Sequence, residues 1–138
     1  GINGKISELQ AAMGLAVLPH MAMILEARKK VVYFYDCHLD FSKLTKMKLR
    51  NNTGWNYSYY PIVLKNEDTL IKILNRLKKL NIYPRRYFYP SLNKLNYLNN
   101  QSVNISEDIA TRILCLPLYF ELEQNIVCKI ANVINHEQ

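Results

Sequence analysis

A chain of 138 residues, 49% hydrophobic and 21% charged, has the make-up of a globular unit with its own core, not of a disordered segment. Its formal charge of +7 invites an anionic partner. Lys and Arg are nevertheless spread over residues 28–30, 43–50, 76–79 and 85–86 without a dense block, which argues against nucleic acid as the main one. Three cysteines without Cys-x-x-Cys spacing fit buried thiols in a reducing cytoplasm, and no uninterrupted apolar run or leader-like start predicts a membrane span or export.

The first predicted element is a helix over residues 7–17. Ser7 and Gln10 have the spacing of a capping box, and from Leu9 to Leu18 only Gln10 is strongly polar. A helix apolar on every side has to be buried on every side, and this chain supplies little to bury it. Pro19 cannot continue that helix but suits the first position of another, over residues 19–39, with Met21, Ile24, Leu25, Arg28, Val32, Tyr35 and Leu39 on one stripe.

Residues 40–54 read as a polar, turn-rich connection, and residues 55–64 as a strand rich in aromatic and β-branched side chains. Pro61 lacks an N–H, so the strand lies at an edge there or its pairing is interrupted. Asn66 caps a helix with Glu67 and Asp68 in its first turn and Lys78 and Lys79 in its last. Leu70, Ile73, Leu74, Leu77 and Leu80 form its inward stripe, and Asn81 is its left-handed terminator.

A short strand over residues 83–89, an Asn-rich loop over 94–104, and a short helix capped by Ser106 follow. A third extended piece is expected over 114–118, and a closing helix over 122–135 with Leu122, Ile126, Val127, Ile130 and Ile134 inward. The sum is an α+β unit: a small, mainly antiparallel sheet with helices on one face, preceded by a helical lead-in.

The opening residues, Gly1-Ile2-Asn3-Gly4-Lys5-Ile6-Ser7 followed by Glu8-Leu9-Gln10-Ala11-Ala12-Met13-Gly14-Leu15, carry a pattern of their own. It continues at matching intervals through Arg28, Tyr35, residues 55–64, residues 81–93 and Ile113-Leu114-Cys115-Leu116-Pro117-Leu118-Tyr119. This ordered set resembles the C-terminal portion of the DegT/DnrJ/StrS sugar aminotransferases, which are fold-type-I enzymes using pyridoxal 5'-phosphate (PLP). The resemblance covers essentially the whole chain. It implies that residues 1–50 are the end of a large domain with linking helices, and residues 51–138 the small C-terminal α+β domain. An upstream portion is expected before Gly1.

The resemblance further implies a cytoplasmic homodimer that moves an amino group from glutamate to a nucleotide-linked keto-sugar. Asn3 takes the family position that bonds the cofactor phosphate of the partner subunit. Lys5 takes the Arg/Lys position beside it, where phosphate, the substrate's diphosphate and plain solvent all remain open. Arg85, Arg86, Tyr87 and Tyr89 fall where the family keeps an aromatic and polar segment near the nucleotide-sugar; Arg with Tyr suits a diphosphate and an adjoining ring. Adjacent strand residues point to opposite faces, so only one of the two arginines can face a given site, the other being left for an ion pair or solvent. Asn93 stands where many relatives carry His, wording that looks like the branch acting on dTDP-4-keto-6-deoxyhexoses.

In the family the Schiff-base lysine, the acid on the pyridine nitrogen and the group over the ring lie upstream of the Gly-x-Asn motif. No catalytic residue is therefore assigned within these 138, and the piece alone is expected to be inactive. His20, His38 and His136 have no ligand spacing, so no metal is expected. Tyr33, Tyr35, Tyr57, Tyr59 and Tyr60 read as packing residues. The rival reading is a non-catalytic basic α+β module that binds nucleic acid or a protein.

Overall fold

The structure, a computed structural model, describes residues 4–98 and 101–137. Asn3 therefore lies outside the described residues.

The lead-in is helical. In α1 (Glu8–Val17) the Ser7 hydroxyl accepts from the Gln10 N–H while the Gln10 side chain accepts from the Ser7 N–H, the expected capping box. A single 3-10 turn, Leu18–His20, absorbs Pro19 and leads into α2 (Met21–His38). By length and composition the helical run Glu8–His38 is sufficient to cross a bilayer, which corrects the expectation that no segment is; a search for an uninterrupted apolar run misses it because Gln10, Pro19 and His20 break it. The end of that run is built into the core through Val31, Val32 and Tyr35.

Three strands form one antiparallel sheet in the order β1-β2-β3: β1 (Thr45–Lys46), β2 (Tyr60–Val63) and β3 (Ile113–Leu116). β1 falls inside the stretch expected to be only a connection, and β2 keeps just the last part of the strand expected over residues 55–64. Pro61 explains its own tolerance. Its partner Cys115 turns both backbone groups the other way, to Arg85, so the Pro61–Cys115 pair needs no N–H from proline. On the other side, pairing with β1 stops at Ile62, one residue short of Pro61.

α3 (Glu67–Lys79) is capped by Asn66, whose side-chain oxygen accepts from the Thr69 N–H, and it ends before Asn81 at φ 58°. Its stripe is Leu70, Ile73 and Leu77; Leu80 is 49% exposed and does not join it, because it is already past the last helical turn. α4 (Asn104–Arg112) begins three residues earlier than expected, with Val103 and not Ser106 at its N-cap position. The Glu107 carboxylate reaches back to the Val103 N–H. α5 (Gln124–His136) packs against α2 and α3.

One face of the sheet is covered. Tyr60 and Ile62 of β2 and Leu114 and Leu116 of β3 point into a core completed by Val32, Tyr35, Leu70, Ile73, Leu77, Val127, Ile130 and Ile134. Burying each large aliphatic side chain contributes about 1.5–3 kcal/mol. Tyr35 and Tyr60 stack at 4.9 Å between ring centroids, and their hydroxyls leave the core at different points. Tyr35 donates to the Pro117 carbonyl at 2.9 Å, and Tyr60 donates to Asp36, which also accepts from Lys46 at 2.6 Å. Burial raises the pKa of both phenols, so they stay protonated donors.

α1 contrasts with this core. None of its residues is buried, and Leu9, Met13 and Leu15 are 72%, 61% and 71% exposed.

Candidate functional site

The open face of the sheet carries the chemistry. Alternation that sends Tyr60 and Ile62 inward sends Tyr59, Pro61 and Val63 outward, and β3 does the same with Ile113 and Cys115. Next to β3 runs the segment expected as a strand over residues 83–89. Only Arg85 pairs: its N–H donates to the Cys115 carbonyl at 3.0 Å, and its carbonyl accepts from the Cys115 N–H at 2.8 Å. The chain then turns away through residues 87–90, where the Tyr87–Phe88 and Tyr89–Pro90 peptide bonds are cis.

The two arginines separate as adjacent residues on extended backbone do. Arg85 is exposed. Its guanidinium donates to the Tyr87 hydroxyl and lies 5.7 Å from that ring's centroid, and no described carboxylate pairs with it. Arg86 is half-buried: its side chain donates to Glu67 at 2.6 Å and to the Thr111 carbonyl at 2.9 Å. The Arg86 guanidinium lies 3.6 Å from the centroid of the Tyr89 ring.

Arg85 and Tyr87 form part of the wall of a groove of about 350 Å³, with Tyr59, Tyr83, Pro117 and Tyr119 completing its sides. Tyr59 meets Tyr87 edge-on at 5.6 Å. Behind that pair, Tyr59, Tyr87, Phe88 and Cys115 also border a smaller apolar hollow of about 280 Å³. Cys115 forms the common floor. Burial pushes its thiol pKa up, although the sulfur accepts from the Tyr87 N–H. It is a packing thiol, not a nucleophile. An unpaired guanidinium held by one Tyr hydroxyl between aromatic walls can bind an anionic group adjoining a flat ring.

Of the residues expected to bind ligand, Arg85 and Tyr87 come together here. Arg86 and Tyr89 stack on each other beside the groove, and the groove's lining does not include them. Lys5 stands exposed ahead of α1, and no described contact ties it to this segment. Tyr59, Tyr83 and Tyr119 were not foreseen. Tyr59, taken as a packing residue, is 54% exposed; its signal was the strand alternation that makes Tyr60 inward and its neighbour outward. Among the described residues, no three His, Cys, Asp or Glu gather in a way that could hold a metal.

Residues 1–135 match the model of the DegT/DnrJ/EryC1/StrS aminotransferase family. The chain belongs to that family. This aminotransferase segment is 36% identical over 141 residues to a dTDP-4-amino-4,6-dideoxy-D-glucose transaminase from Shigella dysenteriae, matching 97% of the chain but 38% of that relative. Its fold superposes on the aminotransferase TlmJ from Streptoalloteichus hindustanus with a TM-score of 0.84 at 19% identity, covering 99% of this chain and 38% of that one. A Bacillus cereus protein assigned as a PLP-dependent aminotransferase gives a TM-score of 0.83 at 27% identity, over 97% of this chain and 38% of that one. The segment thus spans under two fifths of the length of each of these aminotransferases.

Proposed function

We propose that this chain is the C-terminal portion of a PLP-dependent enzyme that transfers the amino group of glutamate to a dTDP-linked 4-keto-6-deoxyhexose, and that it supplies one wall of the substrate site. The observation that carries the reading is the groove around Arg85 and Tyr87, an unpaired cation between aromatic rings, in a chain of this family. The Shigella relative supports the sugar, since its name specifies a dTDP-4-amino-4,6-dideoxy-D-glucose. Arg85 would take the diphosphate, and the Tyr59, Tyr83 and Tyr119 rings would border the attached nucleoside or sugar.

PLP, when bound, acts as the electron sink that lets the amino group pass between carbon skeletons. The residues described here do not form its lysine site. Every described lysine except Lys46 is exposed, and Lys46 is held by Asp36 at 2.6 Å. This supports a Schiff-base lysine elsewhere in the intact protein, and no catalytic step is assigned to this chain. Asn3 and Lys5 belong to the same proposal: in the intact homodimer Asn3 reaches the cofactor phosphate of the partner subunit, with Lys5 beside that phosphate or the diphosphate.

The division of labour along the chain is also proposed. The exposed, apolar α1 belongs with the large domain, and the small domain follows. Because Val31, Val32, Tyr35, Leu39 and Leu44 already contribute to the small-domain core, the packing changes within α2 rather than at residue 50.

The test is amino transfer by the intact protein, given PLP, glutamate and dTDP-4-keto-6-deoxyglucose, with the product read by mass spectrometry. A dTDP-amino-dideoxyhexose that acquires nitrogen from labelled glutamate is expected. No transfer to any nucleotide-linked keto-sugar would refute the proposal.

A further inference from the structure

We propose that Arg86 is a positioning residue: it clamps the segment that carries Arg85 and Tyr87 to the ends of two helices, and so fixes the anion-binding wall of the groove without touching the substrate. The inference rests on the proposed substrate site, but its geometry stands apart from it. One guanidinium joins three pieces of chain. It reaches the Glu67 carboxylate in the first turn of α3 and the Thr111 carbonyl at the end of α4, and it lies 3.6 Å over the ring of Tyr89. The Arg86 and Glu67 side chains are only 19% and 35% exposed, so this pair is better shielded from water than an ordinary surface bridge.

On the other side of the same backbone, Arg85 is held by both of its hydrogen bonds to Cys115. With the backbone held on both sides, the Arg85 side chain meets the Tyr87 hydroxyl and lines the groove. Lysine cannot replace Arg86 fully. Both hydrogen bonds leave one nitrogen, Nη2, so an ammonium placed there could donate to Glu67 and to Thr111, but it has no plane to lay on the Tyr89 ring.

The test uses the intact protein and two readouts. The first is N-ethylmaleimide labelling of Cys115, resolved by peptide mass spectrometry. Cys115 is 8% exposed beneath the segment, so releasing the clamp in R86Q or E67Q should raise its labelling rate at least several-fold, with R86K in between. The second is dTDP binding measured by calorimetry in R85Q, R86Q and the double variant. Each single variant is expected to weaken dTDP binding about tenfold, and the double variant no more than R85Q alone, because Arg86 acts through Arg85.

Cys115 labelling unchanged in R86Q and E67Q would overturn the clamp. Losses that multiply in the double variant would overturn it too, since Arg86 would then bind the ligand independently. R85Q without effect on dTDP, alongside faster Cys115 labelling in R86Q, would refute the substrate site and leave the clamp supported. Should R86Q fail to fold, E67Q alone and combined with R85Q carries both readouts.

Discussion

Tyr35 shows how much one hydroxyl decides. It is fully buried, stacked on Tyr60, and its OH is the bond that ties α2 to the carbonyl of Pro117 just beyond β3. Tyr35→Phe leaves that carbonyl without its partner and is expected to cost about 1–3 kcal/mol in urea unfolding; an unchanged midpoint would show that water replaces the bond. Glu107 is the residue to watch in acid. It accepts from the Val103 N–H, from Asn93 and from Lys94, and these bonds hold its pKa at about 2, below the ordinary value of 4.5. A carboxylate lowered on folding stabilises the fold fully above about pH 4.5, and that contribution is lost as pH falls toward about 2. The Asn93 side-chain amide resonance should therefore shift with a midpoint near pH 2 and stop titrating in E107Q. Residue-scale features were legible in the sequence where they are local: Ser7, Asn66 and Asn81 act within three residues of themselves. The Glu67–Arg86 bridge spans 19 positions and had no sequence signal, because nothing local says which carboxylate a guanidinium will meet.

Elements followed their periodicity when they were helices and lost residues when they were strands. α3 was readable because its cap, dipole charges and stripe all agree. Asn66→Ala should remove about 1 kcal/mol through the lost Thr69 N–H bond, with Asn66→Asp retaining most of the stability, both read by thermal unfolding. The aromatic stretch before β2 has strand composition, yet only Tyr60–Val63 pairs, since neither neighbouring strand extends far enough to meet the rest. The segment at 83–89 was legible as extended and aromatic but not as a single bridge followed by a turn. Composition reports what a strand can tolerate; the neighbour decides how long it is.

At the scale of the molecule, the two-layer unit and the family were visible in the sequence, and the groove was half visible: Arg85 and Tyr87 from the resemblance, Tyr59, Tyr83 and Tyr119 only from the folded chain. Lys46 pairs with Asp36, Arg86 with Glu67 and Arg112 with Asp108; each pair is neutral, so the net +7 is carried by other residues. What remains unmatched is α1, an apolar helix lying on no part of the core. Residues 1–138 prepared alone should therefore self-associate with rising concentration in light scattering, and replacing Leu9 and Leu15 together by Ser should suppress this. A monomer at every concentration would mean that α1 needs no cover.

The chain is proposed to form one wall of a PLP enzyme's substrate site, with the Schiff-base lysine elsewhere in the intact protein. Borohydride reduction of the intact protein with bound PLP, followed by peptide mapping, tests it most directly. A pyridoxyl-lysine outside residues 1–138 is expected; a label on any lysine within them, or no label anywhere, would overturn the proposal.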